Sequence, residues 1–185
     1  MALALASASC LVTESPDFQP VGRGRPQLLP SELLPTTEVI KKTMGEPIPA
    51  FPVKYISEDA GERLQFTLLV DYGTPPGNAP NQPYRYSQWT RPAERACTAT
   101  EVCTAELPAW TGDSNDAPGC HTLTLVATHA FFGFSPYERC PKSADDADTL
   151  TWVVFLCEAP SSCPDLANGC LADDTPGVYC PPNPQ

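Results

Sequence analysis

The first groups able to do chemistry are two imidazoles, His121 and His129, which stand eight positions apart in HTLTLVATH. A shared metal ion would need them together. On a strand rising about 3.3 Å per residue they lie roughly 26 Å from each other, too far for one ion, so the expectation is a polar residue at each end of a core strand. Two acidic turns offer oxygen ligands: Asp145, Asp146 and Asp148 in KSADDADT, and Asp113, Asn115 and Asp116 in TGDSNDAPG. Neither has the D-x-[DN]-x-[DN]-G spacing that wraps carboxylates around calcium, and no metal is assigned. No G-x-S-x-G, H-E-x-x-H or phosphate-cradling glycine loop occurs, so no catalytic residue and no cofactor is assigned either.

The remaining candidate is aromatic. In NQPYRYSQWTRP, strand parity puts Tyr84 and Tyr86 on one face and Arg85 and Trp89 on the other. Rings flanked by amide and guanidinium groups suit stacking on sugar rings or a protein contact. Ordinary cross-strand packing is the competing use.

The elements that must position these groups are strands. Proline makes up 23 of 185 residues, which removes backbone donors too often for long helices. Leu64, Phe66, Leu68, Val70 and Tyr72 alternate with polar residues in ERLQFTLLVDYG, the mark of a half-buried strand. Phe51, Val53 and Tyr55 alternate just before it, and SEDAGE between them predicts a hairpin. YRYSQW, HTLTLVATHAFFGF and TLTWVVFLCE read as further strands, the last apolar on both faces and so central; GVYC is an edge-strand candidate. GTPPGNAPNQP is a loop. RPAERACTATEVCTAEL fits either a short helix or an irregular strand. Strands separated by Gly, Pro, Asn and Asp clusters, without βαβ alternation, predict an all-β, antiparallel sandwich at residues 50–185. The cysteine and tyrosine spacings fail a strict immunoglobulin match but leave an immunoglobulin-like architecture open.

Nine cysteines without one C-x-x-C pair point to an oxidising compartment rather than to zinc. Cys97, Cys103, Cys120, Cys140, Cys157, Cys163, Cys170 and Cys180 make an even set able to form four bridges. Short loops suggest Cys97 with Cys103 and Cys163 with Cys170, leaving the other four to tie the tail and the 131–149 connection to the sheet. The tail, 159–185, carries few large apolar residues, so its order should depend on its cysteines. Cys10 is the odd thiol.

Residues 1–9 read as the remnant of a signal peptide, with small residues Ser7, Ala8 and Ser9 before Cys10. This start resembles that of bacterial lipoproteins, in which the cysteine is lipidated and becomes the mature N-terminus. Ser7 stands where the family usually has leucine. The resemblance implies Cys10 as the lipidation site and a membrane anchor; Leu11, rather than aspartate, after it implies the outer membrane over the inner. The whole chain is similar in composition to predicted Pro- and Cys-rich lipoproteins of myxobacteria.

Residues 10–49 read as a Pro-rich extended tether, with prolines at 16, 20, 26, 30, 35, 47 and 49. Leu33, Leu34, Val39 and Ile40 are more apolar than a linker needs, so residues 33–45 should dock in part. Charge separates the two regions. Residues 1–55 hold five acids and five bases, and the full net charge of −11 lies beyond them. So acidic a body repels phosphate backbones, and no nucleic-acid partner is expected. The sequence thus predicts an envelope module that binds or supports a protein or carbohydrate, without assigned catalysis; the alternative is an envelope hydrolase using the acidic loops.

Overall fold

The computed structural model describes residues 24–31, 34, 36, 38–59, 61–74, 82–97, 100–113, 116–133, 137–163, 170 and 180. Among these residues, eight strands form two sheets. β1 (Gln27–Leu29), β3 (Phe51–Ile56) and β6 (Cys103–Leu107) make a small antiparallel sheet in the order β1-β3-β6. β2 (Val39–Thr43), β4 (Gln65–Val70), β5 (Tyr86–Pro92), β7 (Gly119–Thr128) and β8 (Ala147–Cys157) make the larger one, ordered β2-β8-β7-β4-β5. Among the described residues the only helical turns are 3-10, at Ala144–Asp146 and Pro160–Ser162. The all-β sandwich read from the strand alternation is the fold found, with one parallel pair, β2 against β8.

Alternation explains which face each strand buries. Phe66, Leu68 and Val70 of β4, Leu123, Leu125 and Ala127 of β7, and Trp152, Val154 and Leu156 of β8 fill the space between the sheets. Phe51, Val53 and Tyr55 of β3 meet them from the other side, with the Tyr55 and Phe66 rings edge-on at 5.2 Å. The predicted hairpin is therefore wrong. β3 and β4 belong to different sheets, and the SEDAGE turn carries the chain across the core so that both apolar faces look inward.

Two residues, Leu69 and Tyr72, depart from this alternation. Leu69, the apolar exception in β4, packs outside the sandwich with Tyr84, Val126 and Phe131. Tyr72 joins that outer cluster instead of following Val70 inward, because Asp71 adopts a left-handed backbone, φ 53°, that breaks the strand's period.

Each of the eight cysteines from Cys97 onward is bridged. Cys97 pairs with Cys103 as expected, but Cys163 pairs with Cys157 rather than with Cys170. Cys170 reaches back to Cys120, and Cys180 to Cys140. Local spacing could not decide between Cys157, six residues before Cys163, and Cys170, seven after it, because both lie near it in sequence. The β8 end at Cys157 decides. GVYC, apart from Cys180, lies outside the described residues, as do Cys10 and most of the 73–83 loop. Of the segment read as a tether, Gln27–Leu29 and Val39–Thr43 are strands of the two sheets.

Candidate functional site

The β5 edge carries the aromatic candidates. A register shift between Leu68 and Leu69 leaves Gln88 as an extra residue, so Trp89 faces Leu68 and Tyr86 faces Val70. The bulge reverses the parity expected for Trp89, while Tyr84 precedes β5 and so lies outside its alternation. Tyr86 and Trp89 now share the inner face, where both pack against the core, while buried Tyr84 joins the outer cluster. Simple alternation could not reveal this, since a one-residue insertion flips every later side chain.

These residues line one groove of about 330 Å³, together with Gln82, Arg85 and Arg139. Its donors and rings are held by specific means. Tyr84 donates its hydroxyl to the Glu138 carbonyl, and burial pushes that phenol's pKa up to about 12, so it stays a donor. The indole Nε1 of Trp89 is buried without a hydrogen-bond partner among the described residues, and the Arg91 guanidinium lies 5.3 Å from its ring centre. Arg139 has φ 74°, a left-handed backbone that long side chains rarely adopt and that tends to occur at functional positions.

Behind the groove runs a buried polar chain. The Tyr86 hydroxyl donates to Asp116 at 2.7 Å, as does the Asp113 amide. Arg85 lies 3.3 Å from Asp116 and 3.8 Å from Asp71. Asp71 accepts from His121 Nδ1 at 2.9 Å, and His121 Nε2 points at the Ala117 carbonyl, 2.8 Å away. Both ring nitrogens face acceptors, a demand that only the imidazolium satisfies. The Asp71 hydrogen bond accordingly raises the His121 pKa against the opposing effect of burial, aided by the Ala117 carbonyl and by the charges of Asp71 and Asp116.

A pKa raised in the folded state means stabilisation that is complete below the ordinary histidine value of roughly 6.5 and lost as pH rises through the higher folded value. Replacing His121 with Asn is therefore expected to cost more stability at pH 5.5 than at pH 8.5. Urea unfolding at the two pH values measures this. An equal cost at both would mean that His121 is neutral when folded.

Of the other acidic candidates, Asp145 is exposed, whereas Asp146 and Asp148 are spent internally. His129 Nδ1 hydrogen-bonds Asp146, while Asp148 accepts the Leu28 amide at 2.7 Å and pairs with Arg25. His121 lies near the start of β7 and His129 just past its end, so the two histidines stand at opposite ends of one core strand. Asn115 lies outside the described residues. Among those described, no group of three or more His, Cys, Asp or Glu is disposed to hold a metal ion. Sequence reading missed Ser57, whose Oγ lies 3.4 Å from His129 Nε2. An isolated serine after a strand carries no signal of such a partner.

No protein-family model matches the chain, and comparison with curated proteins finds no significant match.

Proposed function

We propose that the chain is an exported module of a bacterial envelope, lipid-anchored through Cys10, that holds a carbohydrate in the groove along β5. The groove itself carries the reading. Tyr84, Tyr86 and Trp89, neighbours in one stretch of the sequence, line one concavity with Gln82, Arg85 and the distant Arg139. Its lining mixes ring surfaces with hydrogen-bonding groups, the combination a sugar ring needs for stacking and hydroxyl recognition. A protein hot spot would call for a more apolar floor.

Export is supported by the cysteines. Four bridges suit an oxidising compartment, and with eight of nine cysteines so used, Cys10 has no cysteine partner left within the chain. Mass spectrometry of the mature N-terminus should find acyl chains on Cys10. An unmodified Cys10 in protein from native membranes would remove the anchor.

For the ligand, the probes are soluble peptidoglycan fragments and neutral oligosaccharides, titrated against the intact protein by tryptophan fluorescence. Saturable quenching is expected, and Trp89→Ala should weaken it about tenfold or more, the loss of a buried aromatic contact. Saturation by an extended peptide alone would reassign the groove to protein recognition. Binding by Trp89→Ala equal to that of the parent would displace the site altogether.

A further inference from the structure

A second constellation lies at one end of the sandwich, away from the groove. Ser57 follows β3, His129 follows β7, and Asp146 closes the 3-10 turn before β8. The strand registers bring the three together. His129 Nδ1 binds the Asp146 carboxylate, whose other oxygen is fixed by the His129 amide at 3.3 Å and the Thr128 hydroxyl at 3.4 Å. Nε2 of the same ring faces Ser57 Oγ at 3.4 Å. Hydroxyl, imidazole and carboxylate thus stand in the order, and on the ring nitrogens, that nucleophilic serine chemistry uses.

A fourth group fits the same chemistry. Asp59 Oδ2 is buried, has no hydrogen-bond partner among the described residues and lies 3.6 Å from His129 Nε2. A buried carboxylate oxygen without a hydrogen bond is costly in a site that only braces the fold. Beside an imidazole that takes up a proton, it stabilises the cation formed.

Ser57 is 0% exposed, and the cause is visible. The segment from Gly24 to Leu28 crosses this end of the sandwich. Gly24 donates to Asp59 Oδ1 at 3.2 Å, Arg25 Nε donates to the Ala147 carbonyl at 2.7 Å, and the Leu28 amide binds Asp148. Gln27 pairs with Ile56, immediately before Ser57. The segment is a strap tied to the neighbours of Ser57 on one sheet and of Asp146 on the other.

We propose that Ser57, His129 and Asp146 form an acyl-transfer centre for ester substrates, kept shut by the Gly24–Leu28 strap. When the strap lifts, Ser57 Oγ attacks the ester carbonyl and His129 Nε2 takes the serine proton. The ester C–O bond then breaks, and the proton passes to the departing alcohol. Water, activated by His129, releases the acid and restores the serine. Asp146 is the positioning residue, setting the ring's tautomer and orientation.

An alkyl fluorophosphonate tests this on the full chain, because its phosphorus takes the place of the carbonyl: an Oγ–P bond forms, P–F breaks and fluoride leaves. Peptide mapping reads the rate at Ser57. Slow labelling is expected in the parent and about tenfold faster labelling in Arg25→Ala/Asp148→Ala, which loses three strap contacts. Adding His129→Gln should slow the reaction roughly a hundredfold, and Asp146→Asn should slow it as well. Ser57 in the strap variant reacting no faster than the protein's other serines overturns the centre, as does a rate untouched by His129→Gln. Should the strap variant unfold, Arg25→Lys serves in its place, with the same readings.

Discussion

Removing the Cys140–Cys180 bridge by double replacement with alanine is expected to cost about 4 kcal/mol, against about 2 kcal/mol for the Cys157–Cys163 bridge. The difference is one of loop entropy. The first bridge closes 40 residues of chain and the second only 6, so the first withholds far more freedom from the unfolded state. Burial does not blur the comparison, since each pair has one fully buried member, Cys140 and Cys157. The longer bridge also has local work. It holds Cys180 where its amide meets the Tyr72 hydroxyl at 3.1 Å, over the outer cluster of Leu69, Tyr84, Val126 and Phe131. Glu138 and Arg139, on the groove, immediately precede Cys140. Urea unfolding of the two variants should therefore rank them in that order, and only the first should lose Trp89-dependent quenching by saccharide probes. Equal costs would show that the unfolded chain is already compact enough to make loop length irrelevant.

What could be read in the sequence followed period and parity. Strands β3, β4, β7 and β8 announce themselves because their apolar residues recur at every second position, as in Phe66, Leu68 and Val70, and burial against one interior enforces that recurrence. Cysteine parity likewise separated Cys10 from the other eight. What escaped depends on single backbone events. The extra residue at Gln88 moved Trp89 to the face of Tyr86, and the left-handed turn at Asp71 sent Tyr72 outward. Both are local, and neither changes composition or hydrophobic pattern enough to register. Sheet membership escaped for another reason: two amphipathic strands joined by a short polar turn pair as a hairpin or face each other across a core with equal local plausibility. The meeting of Ser57, His129 and Asp146 depends on that choice. Had β3 and β4 paired, Ser57 would have led into a hairpin turn; its position at the end of the opposite sheet lets it approach a residue of β7's end, 72 positions later.

Trp152→Ala should be the most damaging single substitution, costing about 3–5 kcal/mol. The indole is fully buried near the middle of β8 and meets Phe51 of the facing sheet edge-on, with ring centres 5.3 Å apart. Its deletion leaves a void that the rigid strands on either side cannot close. A second loss follows from Nε1, which donates to the Leu34 carbonyl at 2.9 Å. Leu34 and Ile40 pack on the same core, and β2 then runs parallel to β8 from Val39 beside Val153 to Thr43 beside Cys157. That hydrogen bond is thus the pin at which the chain before β2 is fastened to the larger sheet. Trp152→Phe separates the two contributions, since it keeps most of the buried ring and removes the donor. It should cost about 1–2 kcal/mol overall while β2 amides exchange faster than those of β7. Hydrogen exchange of Trp152→Phe with β2 as protected as in the parent would show that parallel pairing alone holds this edge, and the fastening role of the indole would fall.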